Sequence, residues 1–179
     1  GKLKATEQFN SFLSAFNRAA EVSADEKIVI MGSDYSSDEQ IVLEKDKSVV
    51  VDLNGYTIKR DRENHETKRN GGVFLVKSVA TLTIRDSSPK RKGNGGVRGG
   101  VITGGASSNA GGGITIEEKG HLVMEGGTIY DCTSDEDGGG VYVDTGSKET
   151  SFVMRGGRIA NCKTIDSADN CYGGAIFFR

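Results

Sequence analysis

The feature that most constrains this sequence is an internal repeat built around paired glycines. Gly112-Gly113-Ile114-Thr115-Ile116 returns as Gly139-Gly140-Val141-Tyr142-Val143 and again as Gly173-Gly174-Ala175-Ile176-Phe177-Phe178. A second block, from Leu122 to Cys132, returns 30 residues later as Phe152 to Cys162. The two blocks recur at different spacings, so insertions fall in the connections between them. This behaviour is typical of a solenoid, whose strands keep register while its loops vary.

The repeat extends towards the N-terminus with weaker similarity. Gly71-Gly72-Val73-Phe74 matches the first block, and Thr81 to Ile84 matches the start of the second. Gly99 to Ile102 matches the glycine corner of the second block, as does Val51 to Ile58 with one residue of slack. The repeating region therefore covers most of the chain.

Each repeat predicts three short strands whose side chains alternate between an inward and an outward face. Glycine accounts for 26 of the 179 residues, which argues against a helical fold because each interior helical glycine costs about 1 kcal/mol. A β-sandwich with glycine-rich turns is the alternative, although a sandwich needs no apolar identity at repeat-equivalent positions. The predicted inward columns are Phe74/Ile114/Val141/Ile176, Val76/Ile116/Val143/Phe178, Leu53/Ile84/Met124/Met154 and Ile58/Ile102/Ile129/Ile159.

The start of the chain follows a different pattern. Phe9, Phe12 and Phe16 lie on one face of an amphipathic helix, and two strands are predicted after it, at 26–31 and 40–43. A stack of strands has an open apolar end that must be covered. We therefore predict a capping helix within residues 1–24, with a partner-binding helix as the alternative, and a β-solenoid over residues 25–179.

The opposite end shows no covering segment. Residues 175–179 open a new rung, and an exposed apolar edge strand promotes association. We expect residues 25–179 to be the N-terminal part of a longer solenoid, with a second copy packed on this end as the alternative.

Three motifs carry a family resemblance: Gly-Gly-Gly-Val-Tyr-Val at 138–143, Phe-Val-Met-Arg-Gly-Gly-Arg-Ile-Ala-Asn-Cys at 152–162 and Val-Asp-Leu-Asn-Gly-Tyr-Thr-Ile at 51–58. Over residues 26–179 the chain resembles the right-handed parallel β-helix repeats, of pectate-lyase-like architecture, of large bacterial surface and secreted proteins. Gly-Gly-Ala-Ile at 173–176 also resembles the repeat of chlamydial-type polymorphic outer-membrane adhesins. The resemblance implies an all-β, right-handed parallel β-helix with an N-terminal lid, and an extracellular or cell-surface location in a bacterium. It brings no catalytic motif with it.

Composition excludes several function classes. The net charge of −2 gives no bulk attraction to nucleic acid or membrane surfaces, and no apolar run is long enough to span a bilayer. Three cysteines are too few for a disulfide scaffold and lack zinc-ligand spacing. No cofactor is predicted, with Ca²⁺ held by carboxylates as a weaker alternative.

The outward face of the first strand column is the place to look for a site. Its register predicts a partly aromatic stripe of Leu75, Thr115, Tyr142 and Phe177, which suits a sugar ring or an apolar patch of another protein unless a following segment covers it. Two positions further along each strand lie Lys77, Glu117 and Asp144. Rungs about 4.8 Å apart would bring the last two carboxylates to the separation used by retaining glycosidases. The alternative is a surface charge ladder in which Lys77 partly neutralises Glu117.

Two basic connections and the cysteines complete the candidates. Arg60 and Arg62 come from one connection and Arg91 and Lys92 from the next, so together they would attract an anionic glycan or merely keep the solenoid soluble. Cys132 and Cys162 occupy equivalent positions, which favours stacked thiols, whereas Cys162 and Cys171 are close enough in sequence to form a disulfide.

The function predicted from the sequence is a non-enzymatic extracellular bacterial surface module, adhesin-like or a stalk. It would bind a glycan or a host or bacterial surface protein through the outer face of the β-helix. The alternative is a polysaccharide lyase or glycoside hydrolase that uses Glu117 and Asp144. A purely structural spacer that binds no ligand is the third hypothesis.

Overall fold

The computed structural model describes residues 7–23, 27–60, 71–91, 96–165 and 171–179. Within these ranges the chain forms one helix, α1 (Phe12–Glu21), and eighteen strands. The strands follow one another in five groups, which we call rungs 1 to 5. Rung 1 contains β1 (Ile28–Ile30), β2 (Tyr35–Ser37) and β3 (Ile41–Leu43). Rung 2 contains β4 (Ser48–Asp52), β5 (Thr57–Arg60) and β6 (Phe74–Val76).

The later rungs contain four strands each. Rung 3 contains β7 (Thr81–Arg85), β8 (Val101–Thr103), β9 (Ala106–Ser107) and β10 (Ile114–Ile116). Rung 4 contains β11 (His121–Met124), β12 (Thr128–Tyr130), β13 (Thr133–Ser134) and β14 (Val141–Val143). Rung 5 contains β15 (Ser151–Met154), β16 (Arg158–Ala160), β17 (Lys163–Thr164) and β18 (Ile176–Phe178).

Equivalent strands of successive rungs pair in parallel. Sheet A has the order β1-β4-β7-β11-β15, sheet B the order β2-β5-β8-β12-β16 and sheet C the order β3-β6-β10-β14-β18. A fourth, short sheet joins β9, β13 and β17, so rungs 3 to 5 have one strand more than the three predicted. The chain is thus mostly β, and its stacked parallel strands are consistent with a β-helix.

The predicted columns are confirmed for sheets B and C. Ile102 is aligned with Ile58 and Ile129, and Ile159 continues the same column. Ile114 is aligned with Phe74 and Val141 in the same manner. All of these side chains except Ile159, which is partly buried against the core, are buried in one core, because β-branched and aromatic side chains pack well on the inner face of a pleated sheet.

The column in sheet A needs one correction. Val51 is the residue aligned with Ile84, and the prediction that Leu53 holds this place is wrong. Seven positions separate Val51 from Ile58, whereas five separate Met124 from Ile129, so the corner in rung 2 is longer by two residues. Leu53 turns inward within that corner and is fully buried beside Gly100 and Gly127.

Helix α1 packs Phe12 and Phe16 into the core beside rung 1. Ser11 caps the helix by accepting a hydrogen bond from the N–H of Ser14 at 3.2 Å. The ring of Phe12 lies 5.2 Å from that of Tyr35, and the ring of Phe16 lies 6.0 Å from that of Phe74. Phe9 precedes the helix and is exposed, so it does not belong to the predicted lid.

Rung 5 lies at the other edge of every sheet. Met154 is aligned with Met124, yet it is 43% exposed, and Phe178 is 54% exposed. Both residues keep the predicted register but are not buried, because no described strand lies beyond them.

Candidate functional site

The predicted outward stripe on sheet C is present in register. Thr115 is aligned with Leu75 on one side and Tyr142 on the other, and Phe177 follows Tyr142. Leu75, Thr115 and Phe177 are half-buried, and Tyr142 is 9% exposed. The four side chains therefore form one continuous surface across rungs 2 to 5.

Three aromatic rings stack at one end of this stripe. The rings of Tyr142 and Phe177 lie 6.0 Å apart at 24°, and those of Phe177 and Tyr172 lie 6.0 Å apart at 17°. Phe177 thus covers much of Tyr142, while Tyr172 is 54% exposed and extends the aromatic surface towards solvent. The exposed ring of Tyr172 suits another flat apolar surface, such as the face of a sugar ring.

A groove of about 330 Å³ runs beside the stripe. Leu75, Thr115 and Tyr142 line it together with polar residues that the sequence analysis did not single out: Gln40, Ser107, Asn109, Glu136 and Arg179. Ser107 belongs to the short strand β9. The other residues come from loops and from the chain end, where hydrophobic alternation does not indicate which side chains point towards a neighbour.

Backbone stacking positions the polar side of the groove. The N–H of Asn109 donates to the hydroxyl of Ser107 at 3.2 Å, and the N–H of Glu136 donates to the carbonyl of Asn109 at 3.0 Å. On the other side, the hydroxyl of Thr115 donates to the carbonyl of Gly111 at 3.3 Å. The loop that follows β9 in rung 3 and the loop that follows β13 in rung 4 therefore keep the register of the strands that flank them.

Arg179 adds a positive charge beside Tyr142. A hydrogen bond with the Tyr142 side chain raises the pKa of the Arg179 guanidinium, and the carboxylates of Asp144 and Asp137 act in the same direction. The guanidinium is therefore cationic at any physiological pH. It places a hydrogen-bond donor at the end of the aromatic surface.

In the charged column of Lys77, Glu117 and Asp144 on sheet C, the ion-pair partner of Lys77 differs from the one predicted. Lys77 Nζ lies 3.3 Å from a carboxylate oxygen of Glu44, so it neutralises the preceding rung, and no described salt bridge joins it to Glu117. The N–H of Glu117 bonds to Val76 and that of Asp144 to Ile116, which confirms that the two acids occupy neighbouring rungs. Asp144 Oδ1 accepts from the N–H of Gly146 at 3.0 Å and thereby caps a turn. Neither acid is among the described residues that line the groove.

Of the predicted basic surface, the structure describes Arg60 and Arg91. Arg60 is 4% exposed, and its guanidinium donates to the carbonyls of Asp38 at 3.1 Å and Gly72 at 2.7 Å. It therefore joins neighbouring segments of the core and is unavailable to a glycan. Arg91 is exposed and lies over the ring of Tyr56 at 3.7 Å, a cation–π contact. Arg62 and Lys92 lie outside the described residues.

The cysteines, all of which lie among the described residues, form no disulfide. Cys132 is fully buried, and a hydrogen bond with Cys162 together with burial raises the pKa of its thiol well above the ordinary value. Cys171 donates instead to the carbonyl of Asp135 at 3.2 Å. The stacked thiol pair of Cys132 and Cys162 is thus present, and the suggested Cys162–Cys171 disulfide is not formed.

Within the described ranges, no group of three or more His, Cys, Asp or Glu side chains is arranged to hold a metal ion. Among the same residues, α1 is too short to cross a bilayer. Comparisons with protein-family models, with curated proteins and with solved structures find no match for this chain.

Proposed function

We propose that this chain is part of a right-handed parallel β-helix from a non-enzymatic bacterial surface protein, and that it binds a glycan in the groove beside Tyr142. The parallel pairing of equivalent strands supports the β-helix. Right-handedness follows from the general preference of connections between parallel strands of one sheet, which are right-handed in about 98% of cases.

The observation that carries the binding proposal is the combination of surfaces in the groove. The aromatic and apolar side chains of Tyr142 and Leu75 line the groove together with the amide- and carboxylate-bearing residues Gln40, Asn109 and Glu136. Sugar rings present an apolar face and a rim of hydroxyls, so they need such a pairing of surfaces. The extracellular location and the adhesin-like role rest on the resemblance of the repeats.

The second candidate, a polysaccharide lyase or glycoside hydrolase, is favoured by the adjacency of Glu117 and Asp144 on neighbouring rungs. Its weakness is chemical. Asp144 caps a turn, the nearby cation Lys77 pairs with Glu44, and neither acid lines the groove among the described residues. A substrate held in the groove would thus lie beside these carboxylates and not between them.

The test is a glycan array followed by titration calorimetry with any glycan that binds. We expect Tyr142→Ala to weaken binding about tenfold or more, the loss of roughly 1.4 kcal/mol of aromatic contact. Tyr130→Ala is the matched control because Tyr130 belongs to the same rung but lies on sheet B, and it should change affinity less than about twofold. Circular dichroism would establish that both variants are folded.

Two results would overturn the proposal. One is binding that survives both Tyr142→Ala and Asn109→Ala, which would place the ligand elsewhere. The other is cleavage of a polysaccharide that disappears in Glu117→Gln or Asp144→Asn, which would make the second candidate correct.

A further inference from the structure

The outer face of sheet A carries two parallel columns of side chains that the proposed function does not use. The apolar column consists of Ile28, Val50, Thr83, Val123 and Val153, one from each rung. The charge column lies two positions further along the same strands and consists of Asp52, Arg85, Glu125 and Arg155 in rungs 2 to 5.

The apolar column faces outward and is open to solvent. Ile28 and Val153 are each 39% exposed, and the three members between them are half-buried. Ile30, which precedes the charge column in rung 1, is 65% exposed. Contiguous β-branched side chains on the outside of a flat parallel sheet are characteristic of a contact surface.

The charge column alternates in sign along the molecule. Arg85 Nε lies 2.6 Å from a carboxylate oxygen of Glu125, and Arg155 lies 3.4 Å from the other oxygen of the same carboxylate. From rung 2 to rung 5 the signs are negative, positive, negative and positive. When this order of four charges is reversed and placed beside the original order, each negative charge lies opposite a positive one.

We propose that this face is a self-association surface on which a second copy of the chain binds antiparallel, related by a two-fold axis that runs along the strand direction. This operation places each column opposite the same column of the second copy, with the rungs in reverse order. Asp52 then faces Arg155 of the second copy, and Arg85 faces Glu125 of the second copy. All four charges of each chain meet an opposite charge.

Electrostatics selects this arrangement over its neighbours. A shift by one rung would bring Arg85 opposite Arg85 of the second copy and Asp52 opposite Glu125, both of which are like-charge contacts. A parallel arrangement would place each charged residue in the same rung position as the identical, like-charged residue of the second copy. Complementary charges of this kind determine register and orientation more than they determine affinity.

The apolar column is compatible with the same arrangement. With the axis between rungs 3 and 4, Val50 faces Val153 of the second copy, and Thr83 faces Val123 of the second copy. The exposed Ile28 and Ile30 lie outside the overlap. The contact therefore joins one apolar column and one charge column from each chain.

The size of the face indicates a weak dimer. The four strands of rungs 2 to 5, spaced by about 4.8 Å and about four residues long, give a flat area of roughly 250 Å² per copy. A stable interface buries about 800 Å² per partner, so we expect reversible association at upper micromolar to millimolar concentration. Copies concentrated on a surface would reach this range, and the groove on sheet C would remain open in both copies.

The test is a charge exchange between two variants of the whole chain. Arg85→Glu removes the Arg85–Glu125 ion pair within the chain, and Glu125→Arg removes both this pair and the Glu125–Arg155 pair. Each variant creates two like-charge contacts in its own dimer. We expect either variant alone to associate roughly tenfold more weakly than the wild type, because attractive exposed pairs become repulsive. An equimolar mixture should regain association, because every facing pair of the mixed dimer is again opposite in charge.

The measurement is sedimentation equilibrium at protein concentrations up to about 1 mM in low salt. Recovery in the mixture supports the proposal, since mixing cannot restore the ion pair within either chain. A wild-type protein that stays monomeric, a dimer that both variants leave unchanged, or a mixture that fails to recover would overturn it. An unchanged dimer would indicate association through another surface, such as the open edge of rung 5.

A second measurement applies if the charge variants fold poorly. Facing sheets lie about 10 Å apart, so a short bis-maleimide should join a Val50→Cys chain to a Val153→Cys chain. We expect this mixture to cross-link several times faster than Val50→Cys alone, whose two cysteines would be offset by three rungs, with the wild type as the control for its native thiols. Equal rates in all three samples would contradict the proposed register.

Discussion

The first and last rungs contain equivalent residues in very different surroundings. Leu43 in rung 1 and Phe178 in rung 5 belong to one column, yet Leu43 is fully buried and Phe178 is 54% exposed. The two strands have the same apolar alternation, so the difference comes from what lies beyond them. Rung 1 is covered by α1, whereas no described segment covers rung 5. The repeat pattern therefore determines which face turns inward, and neighbouring rungs determine whether that face is buried.

The glycine corners show the same contrast. Gly139 in rung 4 and Gly174 in rung 5 occupy equivalent places before their strands. A Cβ added to Gly139 would lie 2.6 Å from the carbonyl oxygen of Gly174, because the backbone of the next rung passes against it. A Cβ on Gly174 would have its nearest neighbour, the carbonyl oxygen of Cys162, at 3.5 Å. Glycine is thus required by stacking in rung 4 and not in rung 5.

The largest predicted effect tests the contrast between the covered and the open end. Phe16→Ala should lower the free energy of unfolding by about 3–5 kcal/mol, because it removes a fully buried ring that packs on Phe74. Phe178→Ala should cost less than about 1 kcal/mol, since this ring is already half-exposed. Urea unfolding followed by circular dichroism measures both values. Equal losses would show that α1 does not close the core.

The second prediction concerns the glycine pair. Gly139→Ala should destabilise the protein by about 1–3 kcal/mol, because the new methyl group overlaps the backbone of rung 5. Gly174→Ala should change stability by no more than about 0.5 kcal/mol. Thermal unfolding of the two variants is a direct comparison of one substitution at two equivalent places. A Gly174→Ala variant as unstable as Gly139→Ala would mean that a further segment packs against rung 5.

The third prediction concerns a strained corner within the stack. Val79 has φ 61°, a conformation that is unfavourable for a β-branched residue, while its N–H bonds to the carbonyl of Lys119 at 3.1 Å. Val79→Gly should raise the free energy of unfolding by up to about 1 kcal/mol, because it removes the strain and keeps this hydrogen bond. Ser78→Gly is the control, since Ser78 lacks a positive φ and should gain nothing. A loss of stability in Val79→Gly would contradict the corner geometry.

The smallest predicted effect concerns the ion pairs that join rungs 3, 4 and 5. The hydrogen bond from Arg85, followed by the charges of Arg85 and Arg155, lowers the pKa of Glu125 below its ordinary value. A lowered folded-state pKa stabilises the protein above the unfolded-state pKa of about 4.3. This contribution is lost as the pH falls through the lowered value.

Glu125→Gln should therefore be slightly less stable than the wild type at pH 7, and the difference should shrink as the pH falls below about 4.3. Urea unfolding at several pH values would measure it. A difference that is independent of pH would show that Glu125 acts through packing and not through its charge.

The sequence predicts the parallel columns well because each strand repeats the same alternation. It misplaces Leu53, since the longer corner of rung 2 contains no signal that distinguishes a turn residue from a strand residue. The short sheet of β9, β13 and β17 is also missed, because strands of two residues have no measurable period.

The candidate site also contains residues that the repeat predicts and residues that it does not. Leu75, Thr115, Tyr142 and Phe177 follow from the strand register, which the repeat defines. Asn109 and Glu136 come from loops whose path depends on contacts between rungs. The burial of Arg60 is likewise a long-range effect, since its guanidinium bonds to Asp38 and Gly72, carbonyls that are distant in sequence from one another.

The most direct test of parallel stacking is a nuclear Overhauser experiment on protein with labelled methionine and isoleucine methyl groups. Met124 is aligned with Ile84 in rung 3 and Met154 in rung 5. We predict cross-peaks from the Met124 methyl group to both residues. Cross-peaks from Met124 to neither residue, with all three assigned, would contradict the in-register stack on which every surface described above depends.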